Sequence, residues 1–580
     1  MIEKYYEEEL KYLYESGREF SKIHPDRAQY LNIDNIGDRD PYIERLFEGF
    51  AFLTARIREK IEDSYPELTE GVINLLWPGF VHEIPSLSLV EFTPRKGHLH
   101  TTRIIEKGIE IVTHPVGENY TVCKFTTTQK VVLNPIVLKS VEKNRYNSKN
   151  TVLSMNFSLE SETQFNKLMV FPLRLHIHSE MPSALLLHEI ITRHIIRLTL
   201  KLPDGNVIQN DYPHRAITQG GLSSEESILP GVKECFQGYE LLLEYFVFPE
   251  KFLCFDINGF DLSQMKNSYS SFSLIFEFDK DIPDHVNVSS ENFRLHCTPV
   301  VNIFQKTTEP VAITGLKSEY RIKADSNDNS VTVYKILSVI GVNRLTGERS
   351  AYRYLYDNKD SCCVKNKTYL SSCREGITSI REMFITVNHD QLSEGELPEE
   401  NLSINALCTN GTIPRQLLRI GDLSIPGNGM PDFVTCTNII RPTVQFFPPN
   451  ERNYQWIFIS HLSLSSNSLS DINTIKNILK MYDWSRLHGR AKRIEAIQSV
   501  TLSPVESFYN NTIVKGIEYS IDIDESAFSD VNDLHLFGSA LSEFLAQHIT
   551  INSFMKLVFI TKPSNNHLRW NSLKGTKWPI

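Results

Sequence analysis

The first 80 residues repeat apolar positions with the period of an α-helix. Apolar side chains recur every three or four residues from Ile2 to Phe20, with Glu and Lys between them, and this spacing predicts a helix with one apolar face. A second helix is predicted from Pro41, because proline favours the first helical position. A third, shorter helix ends before Pro78. We therefore expect an N-terminal helical region over residues 1–85.

The second predicted helix carries a continuous apolar stripe, whose members are separated by 3, 4, 3, 4 and 4 residues. The charged positions lie mainly off this stripe. Helices of this kind usually pack on their own chain, and that is the simpler interpretation; packing on a partner is the alternative. The candidate partner-binding residues on the second and third helices are Ile43, Leu46, Phe47, Phe50, Leu53, Ile57, Ile61, Leu75, Leu76 and Trp77.

Beyond residue 86 the apolar period shortens from 3.6 to 2. Apolar and polar residues alternate in LRLHIH (173–178) and IRLTLKL (196–202), and FSLIFEF (272–278) is similar. Alternation of this kind is typical of strands with one buried face. Short strands separated by polar turns continue to residue 440. The pattern predicts two β-rich modules of sandwich or barrel type, at 86–330 and 331–440.

The last part of the chain mixes both periods. A proline-rich segment at 438–456 is typical of a linker. After it, INTIKNILKMYDW (472–484) has helical spacing, whereas YSIDID (519–524) and SFMKLVFIT (553–561) have strand spacing. LHLFGSALSEFLAQHI (534–549) is predicted as a strand end that passes into a helix. We expect a compact α/β module over 441–580, and an α+β multidomain fold for the whole chain.

Composition and charge exclude several classes of protein. A chain of 580 residues is too long for one hydrophobic core, and its net charge is −10, from 60 Lys and Arg against 70 Asp and Glu. This balance provides no basic field for nucleic acid. The N-terminus lacks the layout of a signal peptide, no apolar run is long enough to span a membrane, and nine cysteines lie without regular spacing. We expect a cytoplasmic protein with no direct membrane insertion.

A search for catalytic motifs finds none of the phosphate-binding glycine loops, serine elbows or HExxH helices. Histidines are paired in HLH (98–100) and HIH (176–178), where strand geometry places both rings on one face. A third ligand nearby would make a metal-dependent hydrolytic enzyme possible, but a polar strand face is the simpler interpretation. The aromatic-rich β modules leave a carbohydrate-binding protein as another alternative. No cofactor or catalytic residue is predicted.

Three further groups are candidates for chemistry or binding. Asp522 and Asp524 share a strand face, for which solvated carboxylates are the simpler interpretation. HGRAKR (488–493) is predicted to begin a helix and offers an anion or partner contact only as an alternative. Cys362 and Cys363 lack the spacing of a zinc site, and their role stays open.

Several segments, taken together, resemble the TssF family (also called ImpG or VasA), a subunit of the type VI secretion baseplate. Seven segments carry the resemblance. Because they keep their order along nearly the whole chain, the resemblance is specific to this family. They are YYEEELKYL with GREFSKIHPDRAQYL, DPYIERLFEGFAFLTARIREKIEDSYPELTEGVINLLWP (40–78), EYFVFPEKFLCFD (244–256), CTPVVNIF (297–304), LCTNGTIPRQL (407–417), WIFISHLSLSSNSL (456–469) and FGSALSEFLAQHITINSF (537–554).

The resemblance implies a structural, non-enzymatic subunit of the baseplate wedge, on which the contractile sheath and tube assemble. It implies association with TssG, with two copies of this chain for one TssG, and contacts with TssK, TssE and, within the assembly, the spike and sheath. It also implies a cytoplasmic assembly that docks on an inner-membrane complex, without cofactors. Under this resemblance, the stripe from Ile43 to Ile61 becomes a candidate for a helix bundle shared between subunits.

Overall fold

The chain divides into two units, Met1–Leu76 and Trp77–Ile580, which we describe separately from a computed structural model. The residues that the structure describes are 6–7, 9–16, 41–63, 73, 82–147, 150–159, 168–229, 237–260, 269–314, 317–325, 330–355, 367–375, 381–389, 400–449, 458, 468–485, 487–509 and 512–576.

The described part of the first unit is helical, as predicted. Its described part contains a helical segment within residues 6–16 and the long helix α1 (Pro41–Asp63). Helix α1 begins at the proline that the sequence marks as its first residue. Of the third predicted helix, only Ile73 lies among the described residues; it is helical and buried.

The second unit opens with an antiparallel sheet whose strands come from distant parts of the chain. Its spatial order is β24-β3-β4-β15-β1-β25. These strands are β1 (Leu87–Pro94), β3 (Glu110–Thr113), β4 (Lys124–Thr127), β15 (Cys297–Val301), β24 (Leu423–Pro426) and β25 (Val434–Asn438), with the separate pair β2 (Arg103–Ile105) and β5 (Val131–Leu133) beside them. Phe92 faces Cys436 across β1 and β25, and both contribute to one buried core.

Two more sheets contain the alternating segments of the sequence. A five-stranded sheet, ordered β10-β9-β13-β7-β6, contains β6 (Ile136–Asn147), β7 (Asn150–Leu159), β9 (Ile195–Lys201), β10 (Val207–Asn210) and β13 (Ser271–Phe278). A four-stranded sheet, ordered β11-β12-β8-β14, contains β8 (Leu173–Ile177), β11 (Ile217–Gln219), β12 (Cys254–Ile257) and β14 (Phe293–Leu295). Helix α2 (Met181–Arg193) contacts strands of both sheets, and the short α3 (Pro213–Ala216) leads into β11.

The next sheet curls into a nearly closed barrel. Its order is β16-β23-β19-β20-β21-β22-β18, with β17 paired to β23. Phe304 and Tyr320, from the strands at the two ends of this order, share one core with Val339 and Ile404 from central strands. The strands are β16 (Phe304–Thr307), β17 (Val311–Ala312), β18 (Tyr320–Arg321), β19 (Thr332–Asn343), β20 (Arg349–Tyr354), β21 (Lys367–Glu375), β22 (Arg381–His389) and β23 (Glu400–Thr409).

The C-terminal part combines a mixed sheet with helices. Its strands are β26 (Ile497–Tyr509), β27 (Thr512–Asp524), β28 (Phe554–Lys562), β29 (His567–Arg569) and β30 (Leu573–Lys574). The helices around it are α4 (Gln237–Val247), α6 (Ile472–Tyr482), α7 (His488–Glu495) and α8 (Val531–Ala546), while α5 (Ile413–Leu417) follows β23. Strands β27 and β28 are parallel, and α8 provides the crossover between them.

Helix α8 corrects one detail of the sequence prediction. LHLF was predicted as a strand end, but these residues lie inside a helix that begins at Val531. Asp530 caps this helix by accepting a hydrogen bond from the Val531 N–H. The helix contacts α2, α4 and β28, and almost all of its residues are buried, so it has little polar face and its helical period is obscured.

The predicted α+β multidomain class, with an N-terminal helical segment, β-rich sandwich- or barrel-like modules and a C-terminal α/β module, is confirmed. The domain boundaries at 86–330, 331–440 and 441–580 stay predictions. Strand pairing crosses them: β24 and β25 return to the first sheet, while β16 to β18 join the barrel before residue 331. Within the described residues, no helix is long and apolar enough to cross a membrane.

Candidate functional site

One face of helix α1 is covered. Ala51 and Ala55 have no exposed surface, and Phe47 is half-buried. These three residues are spaced by four, so they form one face of the helix. The Phe47 ring lies 5.8 Å from the Tyr14 ring, at an interplanar angle of 60°. This face therefore packs at least in part on the N-terminal helical segment of the same unit.

A second face of α1 is apolar and open. Leu46, Phe50 and Leu53 are exposed by 57%, 55% and 57%. Their spacing of four and three places them on one stripe, roughly a third of a turn around the helix from Ala51. We call Leu46, Phe50 and Leu53 the open stripe. Large apolar side chains that share one exposed helix face are a common mark of a surface that binds a partner.

One flank of the open stripe is basic. Arg45 and Arg56 are exposed and lie about a quarter of a turn around α1 from the stripe, whereas the exposed Glu48 lies on the opposite side of the helix. Charged residues beside an apolar centre resemble the rim of a protein–protein interface. Phe52 is also exposed, by 46%, and it lies about a third of a turn around α1 from the open stripe, on the side away from Ala51.

The structure brings together only part of the predicted site. Leu46, Phe50 and Leu53 lie on the open stripe, whereas Phe47 turns to the covered face. The backbone of Ile43, Ile57 and Ile61 belongs to α1, but their side chains lie outside the described residues. Leu75, Leu76 and Trp77 lie wholly outside the described residues. Sequence reasoning did not predict that Ala51 and Ala55 lie on the covered face of α1. Their spacing of four, which places them on one face of a helix, was the signal that could have shown it.

The paired histidines do not form a common site. HLH was expected on a strand, but His98 and His100 lie in the turn region after β1 and are exposed, so that expectation is wrong. His176 is buried on β8, and burial lowers its pKa to about 3; burial also lowers the pKa of half-buried His178. In the part of the chain that the structure describes, no group of three His, Cys, Asp or Glu side chains could hold a metal ion.

The other candidate groups have structural partners. Asp522 lies 2.7 Å from the Lys562 ammonium, and Asp524 accepts a hydrogen bond from the Ser526 N–H. Each carboxylate pKa is lowered, mainly by hydrogen bonds from Lys562 and Ser526 respectively. Arg493 of the predicted α7 lies 2.6 Å from Asp533. Cys362 and Cys363 lie outside the described residues.

An exposed apolar stripe on a helix, in a chain otherwise rich in β-modules, is a feature expected of a protein that assembles with others. The chain belongs to the TssF family: the family model described as "Type VI secretion system, TssF" matches residues 1–577. Its function is therefore that of a structural subunit of the type VI secretion baseplate.

Known relatives resemble the chain over nearly its full length. The type VI secretion system component TssF1 of Pseudomonas aeruginosa is 25% identical, over 99% of this chain and 98% of that protein. A chain of the cryo-electron-microscopy structure of the TssK-TssF-TssG baseplate subcomplex is 29% identical, with a TM-score of 0.76 over 92% of this chain and 100% of that chain. A chain of the type VI secretion baseplate complex is also 29% identical, with a TM-score of 0.66 over the full length of both.

Proposed function

We propose that this chain is a non-enzymatic wedge subunit that binds TssG- and TssK-like proteins in a cytoplasmic baseplate. The similar chain of known structure belongs to a complex of TssK, TssF and TssG, and this supports the choice of partners. The proposal further includes two copies of this chain for each TssG-like subunit, contact with TssE, and, in the assembly, the spike, the sheath and an inner-membrane complex.

The observation that carries the proposal is the open stripe of α1. If the stripe served only its own chain, Leu46, Phe50 and Leu53 would be expected to face the covered side with Ala51. Instead the small alanines are buried and the large side chains face outward. Small residues allow a close approach to the N-terminal segment and leave the larger apolar surface available. This arrangement supports contact with a partner over packing within the chain.

The open stripe can contribute substantial binding energy. Complete burial of a Leu or Phe side chain stabilises by about 1.5–3 kcal/mol relative to exposure. Since each of the three side chains is a little over half exposed, covering them contributes roughly 1 kcal/mol apiece. The three form a compact apolar centre with Arg45 and Arg56 on one flank, and such centres concentrate binding energy in a few residues.

Co-purification with a TssG-like subunit tests the proposal. The double substitution Leu46→Asp with Phe50→Asp is expected to reduce complex recovery strongly, because both carboxylates would lie in the apolar contact. Phe52→Asp is the control: it places one carboxylate, against two in the double variant, at an exposed aromatic position about a third of a turn around α1 from the open stripe. We expect this control to retain the complex. The circular dichroism spectra of all three proteins should match, since none of the changed side chains is buried.

The same experiment distinguishes binding of a partner by the open stripe from packing of the stripe within its own chain. Full recovery of the complex with the double variant would contradict the open stripe as the contact. Aggregation of the double variant, with Phe52→Asp soluble, would favour packing within the chain. Native mass spectrometry of the intact complex measures the copy number, for which we expect two copies of this chain to one TssG-like subunit.

A further inference from the structure

His194 joins two carboxylates at the end of helix α2. It directly follows the last residue of α2 and precedes β9. Its Nδ1 lies 2.7 Å from Asp279 Oδ1, and its Nε2 lies 3.1 Å from Glu189 Oε1. A neutral imidazole has one N–H and can donate to only one of these carboxylates, whereas an imidazolium donates to both. The geometry therefore fits the protonated ring.

The groups in contact with His194 favour its charged form. Glu189 is buried, whereas Asp279 is 60% exposed just after β13. The Lys280 ammonium lies 2.8 Å from Glu189 Oε2, so the Glu189 carboxylate has a basic side chain at each oxygen. Burial alone would raise the pKa of Glu189, but the hydrogen bonds from His194 and Lys280 outweigh it and lower this pKa to about 2. The hydrogen bond to Glu189 is the main reason why the pKa of His194 is raised above 6.5.

The other charged or titratable groups around the end of α2 keep their charge near neutral pH. They are Arg193 and His188 of α2 and His535 of α8. Both of these histidines are buried, and burial holds their pKa values below 6.5. They are therefore neutral at physiological pH, while the guanidinium stays charged. Of the three rings, His194 is the one whose charge changes near neutral pH.

The same turn of α2 also holds the C-terminal part of the chain. The Arg193 guanidinium donates to the Arg569 carbonyl over 2.7 Å and lies 5.4 Å from the Trp570 ring. The Trp570 N–H in turn donates to the Ser539 hydroxyl of α8 over 3.2 Å. Because Arg193 and His194 are neighbours in the chain, the contacts of His194 also limit the movement of Arg193. The end of α2 thus connects the segment after β13 with β29 and α8.

We propose that His194 is a proton-dependent latch, whose protonated ring fixes the end of α2 and thereby holds β29 and α8 against it. Loss of the proton leaves one carboxylate facing a ring nitrogen that has no hydrogen to donate, and the exposed Asp279 is then free to move away. The stabilisation is fully present below pH 6.5 and is lost as pH rises through the raised pKa of the folded state. This inference goes beyond the proposed function, since it involves neither α1 nor a partner subunit.

Hydrogen–deuterium exchange of the full chain tests the latch. It is measured near pH 6 and near pH 8.5, with labelling times scaled for the intrinsic pH dependence of amide exchange. We expect protection of residues 189–194 and 567–570 to fall by at least about threefold at the higher pH, because the end of α2 opens locally. Strand β23 of the barrel should be unchanged. His194→Gln can donate to only one carboxylate at either pH, so it should show the lower protection at both.

Two further variants make the test specific. His285→Gln is the matched control: it makes the same substitution at an exposed ring in the segment after β13, and it should keep the pH dependence. Asp279→Asn removes one charge at an exposed position, so the loss of protection should begin at a lower pH. Protection that is independent of pH in the unaltered chain, a pH dependence that persists in His194→Gln, or an unshifted profile in Asp279→Asn would overturn the proposal.

Discussion

Helix α1 is amphipathic and helix α8 is largely apolar, and the two are covered in different ways. Fourteen of the 16 residues of α8 are buried, including the polar Asp533 and His535, because helices and sheet strands of the same chain pack around it. In α1, Ala51 and Ala55 are buried, while larger apolar side chains remain exposed. Within α1, apolar character alone does not separate the covered face from the open one, because both faces carry apolar residues. The distribution of side-chain size around the helix is more informative.

The largest difference between the two helices is expected from large-to-small substitutions. Phe537→Ala in α8 should lower the free energy of unfolding by about 3–5 kcal/mol, because it leaves a cavity in a packed core. Leu53→Ala in α1 should change it by less than about 0.5 kcal/mol, since this side chain is exposed. Urea unfolding followed by circular dichroism measures both. A comparable loss for the two variants would contradict the distinction.

Substitution of one glycine in each helix tests the same difference between α1 and α8. A Cβ at Gly538 of α8 would lie 2.1 Å from the Trp570 ring, so Gly538→Ala should cost about 1–3 kcal/mol through overpacking. Gly49 of α1 has no neighbouring atom within 4 Å of such a Cβ, and Gly49→Ala should stabilise the helix by up to about 1 kcal/mol. Thermal unfolding of the two variants is expected to shift the midpoint in opposite directions. Shifts of the same sign would refute this reading of the two helices.

Buried histidines make the second unit sensitive to acid. The pKa of His176 is lowered from 6.5 to about 3, and the pKa of His188 to about 4, both chiefly by burial. Between these folded-state values and the ordinary value near 6.5, the unfolded chain binds more protons, so stability falls as pH falls. Within that window each group contributes a slope of roughly 1.4 kcal/mol per pH unit. Above pH 6.5 the stabilisation is fully present.

Substitution of His176 measures how much this ring contributes to the dependence of the free energy of unfolding on pH. His176→Gln should remove about one proton from the pH dependence of unfolding between pH 4 and 6. His98→Gln changes an exposed ring in the turn region after β1 and should leave the profile unaltered. Urea midpoints across this pH range provide the measurement. An unchanged slope after His176→Gln would show that this ring is not held neutral by burial.

The smallest effect is expected at a charged position beside the open stripe. Arg56 is exposed, and Arg56→Gln should change the free energy of unfolding by no more than about 0.5 kcal/mol. A thermal shift comparable to that of Gly538→Ala would indicate that Arg56 belongs to a network of charges rather than to a solvated rim.

Sequence periodicity predicted α1 well because its apolar and charged positions segregate. It described α8 less accurately, since a helix covered by its own chain on several sides has no polar face to reveal the period. The spacing of apolar residues identified Leu46, Phe50 and Leu53 as members of the stripe of α1. It could not show that Phe47 lies on the covered face instead. Its orientation depends on a contact with Tyr14, about 30 residues earlier, and single-helix spacing carries no information about such contacts.

In the β modules, too, spacing along the sequence predicts single elements but not their contacts. Individual strands such as β9, β13 and β27 follow from alternation. Which strands share a sheet does not, because pairing partners can be hundreds of residues apart. The extension of β26 and β27 beyond the end of β28 likewise emerges only once the pairing of β28 is known.

The return of β25 to β1 has a consequence for how the protein is made. Phe92 pairs with Cys436, so synthesis must add 344 residues (436 minus 92) before the first sheet can close. At typical bacterial elongation rates this delay is roughly 20–70 s. During this interval, the edge of β1 that later pairs with β25 has no strand partner, so its backbone N–H and C=O groups make no ladder hydrogen bonds. The nascent chain is therefore expected to be most vulnerable to aggregation in this interval, and to depend most on chaperones there.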